Sequence, residues 1–422
     1  MVRTMNYNTY RLDNGLRIIH LPSTSPIVYC GFAIAVGTRH EDKTQYGMAH
    51  FCEHMTFKGT EKRSSLQVIN ALERYGGELN AFTTKEDTFY YAAVLKEYFP
   101  KAVDLLTDIV FNSTYPQAEI DKEVEVICDE IESYNDTPAD LIYDEFENLI
   151  FKNTPLGHNI LGASETVRGF KTADAEAFTK KHYTPSQCVF YVYGDVDLRR
   201  INWKMGNGKL IADNKGKGAS TDFVAENTPS LPAVPPSALA NATPSVINIE
   251  SHQAHVMIGT AIERSDEAAS TLFLLNNILG GPSMNSRFNI SLREKRGLVY
   301  SVDSTMTTYR DTLLWTVYLG CDPHDITRCR RLITSELSKI IKCPLSAAAL
   351  KRAKQQLKGQ LSLTSENKEN FAIDFAKQYL HRGTLKDNTI TFARIDAVSA
   401  DDLQRFAAQH LSPDRLTTLI MK

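Results

Sequence analysis

The chain has 422 residues and a formal net charge of −3. At about 100–200 residues per domain, this length predicts two or three folded units, and the near-neutral charge does not support a nucleic-acid or anionic-membrane partner. The first residues lack the apolar segment of a signal peptide, and no apolar run reaches the roughly 18 residues of a membrane span, so we expect a cytoplasmic protein that does not bind membranes. Seven cysteines without C-x-x-C spacing are interpreted as reduced structural thiols.

The first half of the chain predicts a mixed series of strands and helices. Alternating apolar residues predict strands at Tyr10–Leu21 with an Asn14-Gly15 turn, Ile27–Gly37, Glu78–Thr84, Thr88–Leu95 and Cys188–Tyr193. Helical spacing predicts helices at residues 50–54 and their flanks, Ser65–Tyr75, Tyr98–Phe111, Gln117–Tyr134, Pro138–Ile150 and Thr172–His182.

A glycine- and proline-rich stretch at 202–245 has neither helical nor strand periodicity and predicts an interdomain linker. Beyond it the element order repeats, with strands, helices and a final strand at Leu416–Met421. We therefore predict an α+β protein with two homologous α/β-sandwich domains of roughly 200 residues each, whose mixed, mainly antiparallel sheets are covered by helices. The expected boundaries are 1–201 for the first domain, 202–245 for the linker and 246–422 for the second domain. Only the first contains the sequence H-x-x-E-H, at residues 50–54, so we expect the first domain to be catalytic and the second to be inactive.

The most informative motif is His50-Phe-Cys-Glu53-His54. On a helix, His50 and His54 lie one turn apart on the same face, so that both imidazoles can bind one ion. Glu53 shares that face and is placed to act as a general base on a metal-activated water. The order H-x-x-E-H is a metallopeptidase signature, although a surface helix with two histidines is the simpler alternative. Cys52 is expected in the core.

A catalytic zinc ion requires a third protein ligand and an open position. The predicted helix Gln117–Tyr134 is rich in carboxylates, and such a stretch is commonly a solvated helix face. Spacing alone does not select one of them. Glu123 and Glu130 lie two turns apart on one face, which suits one metal ligand and one residue that orients a ligand histidine.

These residues resemble the M16 metallopeptidase family, the pitrilysin, insulysin and mitochondrial processing peptidase group, in its shorter-chain branch. In that family a glutamate ligand follows the motif by about 76 residues, which matches Glu130, and an acidic residue seven positions earlier matches Glu123. The resemblance implies that His50, His54 and Glu130 bind one Zn²⁺ per chain and that Glu53 is the base. Manganese or cobalt would suit the same ligands.

Two further segments resemble parts of the family that contact substrate. Gly76-Gly-Glu-Leu-Asn80-Ala81-Phe82-Thr resembles an edge strand to which the peptide adds as an extra strand, and an ordinary strand is the alternative. The segment from Arg293 to Tyr300 resembles the Arg/Tyr segment that faces the peptide and its oxyanion. The alternatives are a surface ion pair for Arg293 and half-buried strand packing for Tyr300.

The resemblance implies a zinc endopeptidase that hydrolyses peptides or unfolded segments inside an enclosed chamber. One chain of this length corresponds to half of a clamshell, so we expect a homodimer or a heterodimer with a homologous chain. Two other functions remain open: a noncatalytic structural or accessory subunit of the same fold, such as the core proteins of the respiratory bc1 complex, and a metal-stabilised module that binds peptides without cleaving them.

Overall fold

The structure is a computed structural model that describes residues 6–205, 209–212, 244–249, 251–385 and 388–422. These residues form two compact units. The first is drawn from Met1–Glu132, Asn159–Leu231 and Thr364–Asp387, and the second from Ser133–His158, Pro232–Leu363 and Asn388–Lys422. The units therefore differ from the predicted ranges, because each takes in a segment from the other side of the predicted linker.

In chain order, the strands of the described residues are β1 (Asn8–Arg11), β2 (Arg17–Leu21), β3 (Ile27–Ile34), β4 (Glu78–Thr83), β5 (Thr88–Leu95), β6 (Cys188–Tyr193), β7 (Ile211–Ala212), β8 (Ser245–Ile247), β9 (Ala254–Glu263), β10 (Val299–Thr308), β11 (Thr312–Cys321) and β12 (Thr417–Met421).

The α-helices of the same described residues are α1 (Met48–Thr56), α2 (Ser65–Glu73), α3 (Phe99–Asn112), α4 (Gln117–Asn135), α5 (Pro138–Ile150), α6 (Ser164–Val167), α7 (Thr172–His182), α8 (Asp266–Gly280), α9 (Ile326–Lys342), α10 (Ala347–Thr364), α11 (Lys368–Arg382), α12 (Asn388–Ala397) and α13 (Ala400–His410). A π-helix spans Asn289–Glu294. Single 3₁₀ turns lie at Thr38–His40, Lys96–Tyr98, Pro185–Gln187, Leu198–Arg200, Pro323–Asp325 and Pro413–Arg415.

The first unit contains a sheet with the order β4-β5-β3-β6-β2-β1-β7. The β2/β6 pair is parallel and the other neighbours are antiparallel, which confirms the predicted mixed, mainly antiparallel sheet. Strand β4 lies at one end of this order, so one of its edges is unpaired within the described sheet. The predicted linker contributes β7, which the composition did not indicate, and the rest of that stretch lies largely outside the described residues.

Both faces of the first sheet are covered, since consecutive residues of β2 and β6 are buried. One face packs in a core with α1, α2, α3, α4 and α7, and buries residues such as Phe32 and Tyr90. The opposite face packs against α11, through Phe375 and Tyr379. The helix that covers this second face thus comes from the far end of the chain.

The second unit repeats this arrangement with a five-stranded sheet in the order β10-β11-β9-β12-β8. One face packs with α8, α9 and α13 around the fully buried Trp315. The other face is covered by α5, through Ile142, Phe146 and Ile150. Each unit is an α/β sandwich, which confirms the predicted fold class.

Within the described ranges, no helix combines the length and the apolar character that a bilayer crossing requires.

Candidate metal centre

The residues at the N-terminus of α1 fix the position of the helix that carries the histidine motif. Gly47, at the helix N-cap, has a φ of 98°, and a Cβ at this position would lie 2.8 Å from the backbone oxygen of Leu161. Both features favour glycine. The Glu41 carboxylate accepts hydrogen bonds from the backbone N–H groups of Gly47 and Ala49 at 2.9 and 2.7 Å. It thereby supplies negative charge at the positive end of the helix.

Helix α1 divides into an apolar face and a polar face. Phe51, Cys52 and Met55 are fully buried in the core of the first unit, which confirms the interpretation of Cys52 as a core residue. Anchoring by this face leaves His50, Glu53 and His54 on the side that faces α4 and β4, as the helical spacing predicts.

The side chains of His50, His54 and Glu130 converge on one point. Nε2 of His54 lies 3.4 Å from Oε2 of Glu130, and Nε2 of His50 lies 3.9 Å from Oε1 of the same carboxylate. Among the described residues, this is the group of three whose ligand atoms all lie within 4.8 Å of one another. Tetrahedral zinc with N and O ligands at about 2.0–2.1 Å places those atoms roughly 3.3 Å apart. The donor set and its spacing therefore fit a zinc ion.

Glu123 contacts the far side of the His54 ring. Its Oε1 lies 3.0 Å from Nδ1 of His54, and its other oxygen forms an ion pair with Lys58. A carboxylate at Nδ1 directs the other ring nitrogen toward Glu130. The structure thus distinguishes two carboxylates that spacing left equivalent. Glu123 is buried, whereas the Glu130 side chain is 44% exposed and remains accessible from solvent.

The two imidazoles differ in their electrostatic surroundings. Burial and the neighbouring His54 lower the pKa of His50 to about 4, so its ring is neutral at neutral pH. Burial opposes protonation of His54 as well, but hydrogen bonds to Glu123 and Glu130 raise its pKa to about 9. The hydrogen bond to His54 in turn lowers the pKa of Glu130. Without an ion, a proton on His54 therefore partly balances the two carboxylates.

Glu53 lies beside the cluster without belonging to it. Its Oε2 accepts a hydrogen bond from the hydroxyl of Thr83 at 2.5 Å. Burial raises the pKa of the Glu53 carboxyl, and the bond from Thr83 opposes that shift. A half-buried carboxylate next to a metal-binding cluster is positioned to exchange protons with a water molecule there.

The predicted substrate-contacting residues lie in two different units. Asn80, Ala81 and Phe82 lie on the edge strand β4 of the first unit. Arg293 lies in the π-helix of the second unit, where its Nε is 3.9 Å from Oε1 of Glu294. Tyr300 lies on β10 and is 84% exposed, so the half-buried packing considered for it is wrong.

Sequence reasoning assigned no role to Thr83 or Lys58, although each contacts a site residue directly. The alternation of side chains along the predicted strand could have indicated Thr83, since its side chain lies on the same face as that of Ala81. Lys58 lies four residues after His54, one turn beyond the motif, which was the available signal for that contact.

The chain is similar to known proteins over most of its length. The sequence profile described as insulinase (peptidase family M16) matches residues 18–164, and that of the peptidase M16 inactive domain matches residues 170–357. A zinc protease of Bacillus subtilis, YmxG, is 32% identical over 97% of both chains. A zinc protease of Streptomyces coelicolor is 34% identical over 94% of this chain and 85% of its own.

Solved structures show the same fold. A protease from Helicobacter pylori superposes with a TM-score of 0.84, at 20% identity, over 99% of this chain and all of its own. A putative M16-like peptidase from Alicyclobacillus acidocaldarius gives a TM-score of 0.81 at 20% identity, over 100% of this chain and 99% of its own.

Proposed function

The chain belongs to the insulinase-type peptidase family M16, and from that premise we propose that it is a zinc-dependent endopeptidase that hydrolyses peptides or unfolded polypeptide segments. The observation that carries this proposal is the convergence of His50, His54 and Glu130 with Glu53 beside them. Two imidazoles and one carboxylate leave a position open for water, which is the composition of a catalytic zinc site.

In this proposal His50, His54 and Glu130 hold one Zn²⁺, and Glu123 orients His54. When bound, the ion would acidify a water molecule and polarise the scissile carbonyl. Glu53 accepts the proton of the attacking water and later delivers it to the leaving amine. Burial of Glu53 supports both steps, because a carboxyl whose pKa is raised accepts and returns a proton at a smaller free-energy cost.

The unpaired edge of β4 supports the proposed mode of substrate binding. A peptide that pairs with the main chain of Asn80, Ala81 and Phe82 extends the sheet by one strand, through hydrogen bonds that are independent of most side chains. This mode requires an extended substrate, and peptides or unfolded segments meet that requirement. Strand β4 ends at Thr83, the residue that contacts Glu53, so a peptide on this edge runs toward the proposed base.

Arg293 and Tyr300 are proposed to contact the substrate in an assembly of two homologous chains. Both side chains carry donors suited to a carbonyl oxygen or an oxyanion, and neither is buried. If two chains of a homodimer or heterodimer enclose the substrate, these residues of one chain can serve the metal centre of the other. Mixing inactive Glu53→Gln and Arg293→Ala chains should then restore activity. Freely exchanging mixtures that stay inactive would exclude sharing.

The central experiment compares the wild-type protein with Glu53→Gln. We expect about one zinc per chain in both, together with cleavage of an internally quenched peptide library by the wild type and a loss of at least about 100-fold in the variant. Glu130→Gln should lose zinc, whereas Glu125→Gln is the matched control because Glu125 lies on the same helix and pairs with the exposed Arg168.

The other outcomes identify the alternative functions. Zinc at full occupancy with peptide binding but no cleavage would identify a peptide-binding module. A wild-type protein that neither retains zinc nor cleaves any peptide would indicate a noncatalytic accessory subunit. Manganese or cobalt in the purified protein would revise only the identity of the ion.

A further inference from the structure

The hydroxyl of Thr83 forms the closest polar contact that the structure gives to the Glu53 carboxylate. Thr83 Oγ1 donates to Oε2 of Glu53 at 2.5 Å. The two residues lie 30 positions apart in the chain, on the edge strand β4 and on helix α1. A hydrogen bond to a charged group is stronger than one between neutral groups, so this contact restricts the carboxylate.

Because side chains alternate between the two faces of β4, the Thr83 side chain lies on the side of α1. Leu79 and Ala81 pack against the core that contains α1, whereas Phe82 packs on the opposite face, stacked on Phe89 with ring centroids 4.8 Å apart. Since successive side chains alternate between the two faces, Thr83 follows Leu79 and Ala81 to the α1 side. Shifting the strand by one residue would turn Thr83 away from Glu53.

The turn after β4 holds Thr83 in place. Thr83 pairs with Thr88 across the hairpin, and the Thr84 N–H donates to the backbone oxygen of Asp87 at 2.7 Å. The Thr84 hydroxyl accepts hydrogen bonds from the backbone N–H groups of Glu86 and Asp87. The position of Thr83 is therefore set by main-chain pairing and does not depend on the Glu53 contact.

We propose that Thr83 is a positioning residue for the general base: its hydroxyl holds one oxygen of Glu53 and leaves the other to face the attacking water. This inference rests on the proposed peptidase function. Because Thr83 belongs to the strand whose edge takes the substrate, the same strand aligns both the peptide and the base. Removal of the hydroxyl should therefore slow the chemical step without weakening peptide binding.

The test uses Thr83→Val, which keeps the β-branched shape and removes the hydroxyl, and Thr83→Ser, which keeps the hydroxyl. We expect Thr83→Val to lower kcat by about tenfold or more, with KM and zinc content unchanged. Thr83→Ser should retain kcat to within about threefold. In a Glu53→Asp background, the shortened carboxylate no longer meets Thr83, so Thr83→Val should cost much less there.

Thr88→Val is the matched control, because Thr88 pairs directly with Thr83 while its buried hydroxyl donates to the backbone oxygen of Val36 at 2.9 Å. It should lower stability and leave kcat unchanged. The proposal is overturned if Thr83→Val keeps full kcat, if Thr83→Ser is as impaired as Thr83→Val, or if the Thr88 control loses kcat equally.

A crystal structure of Thr83→Val gives a readout independent of activity. The expected result is that the Glu53 carboxylate leaves its position or adopts several rotamers, while β4 and α1 stay in place. A carboxylate that keeps its position overturns the proposal. If the wild type binds zinc but cleaves nothing, the proposed function fails, and this structural comparison still decides the role of Thr83. Thr83→Ala replaces Thr83→Val in both measurements if the valine variant does not fold.

Discussion

An ion cluster around the buried Asp87 connects α11 to the turn after β4, and the loss of stability when one of its contacts is removed can be predicted. Asp87 has no exposed surface, its Oδ2 lies 2.7 Å from Nζ of Lys377, and its Oδ1 is hydrogen-bonded to Nε2 of His381. The two partners of Asp87 lie four residues apart, on one face of α11. Lys377→Met keeps most of the apolar stem of the side chain and removes its ammonium group.

The expected loss in the free energy of unfolding depends on how Asp87 is left when Lys377 is removed. Removing one partner of a buried ion pair costs about 3–5 kcal/mol, because the other charge is left without compensation. Asp87 is fully buried and cannot turn toward water, but His381 remains as a partner and the Lys377 side chain is itself 40% exposed. We therefore expect Lys377→Met to lower the free energy of unfolding of the first unit by about 2–3 kcal/mol, at or below the lower end of that range.

The assay uses the two tryptophans of the chain, one in each unit. In a Trp315→Phe background, the fluorescence of the buried Trp203 reports urea unfolding of the first unit. Lys96→Met is the matched control, because Lys96 pairs with Asp195 at 3.0 Å while both side chains are more than half exposed. It should cost no more than about 1 kcal/mol. If Lys377→Met and Lys96→Met are indistinguishable, the buried-pair reasoning is refuted.

The same cluster predicts a pH dependence. Burial alone would raise the pKa of the Asp87 carboxyl, but His381 and Lys377 hold it well below its usual range. A group whose pKa is depressed in the folded state stabilises the protein above its unfolded pKa, about 3.9 for aspartate, and loses that effect as pH falls. The stability difference between wild type and Asp87→Asn should therefore shrink as the pH falls below about 4. A difference that grows on acidification would contradict this assignment.

Three further predictions concern the candidate metal centre. Gly47→Ala should lower thermal stability and zinc retention together, since the positive φ and the contact with Leu161 oppose a side chain, with a cost of about 1–3 kcal/mol measurable by urea unfolding. Glu123→Gln should weaken zinc binding by about 10–100-fold in a chelator competition, because His54 loses a charged partner. Ala81→Pro should raise KM with zinc content unchanged, since proline removes a donor from the β4 edge and disfavours strand pairing.

Local patterns accounted for most of the secondary structure. The observed helix Thr172–His182 and strand Cys188–Tyr193 have the predicted bounds, and the Asn14-Gly15 turn joins β1 and β2. In these segments the periodicity, the turn residues and the burial all favour the same structure. The helical spacing likewise predicted that His50 and His54 share a face, because that relation depends only on helix geometry.

Long-range contacts could not be predicted in this way. Asp87 and His381 lie 294 positions apart. Nothing in the sequence around either residue indicates that the turn after β4 contacts α11. Charged residues at 85–87 are typical of a solvated turn, yet Lys85, Glu86 and Asp87 are all buried. Spacing also left Glu123 and Glu130 equivalent, whereas in the structure they contact different nitrogens of the His54 ring.

The two sheets show why a repeated fold carries one candidate metal centre among the described residues. The orders β4-β5-β3-β6-β2 and β10-β11-β9-β12-β8 match strand for strand, including the parallel β2/β6 and β8/β12 pairs. In the first unit α1 follows the third strand of this order, and in the second unit α8 follows it.

Helix α8 buries Leu272, Leu275 and Leu279, and its Asn276 accepts a hydrogen bond from the indole of Trp315 at 3.0 Å. Asn276 of α8 is thus the hydrogen-bond partner of a core residue, whereas the two imidazoles and the carboxylate of α1 face away from the core. The framework preserves the packing in both units, and the chemistry depends on the few side chains that α1 directs away from the core.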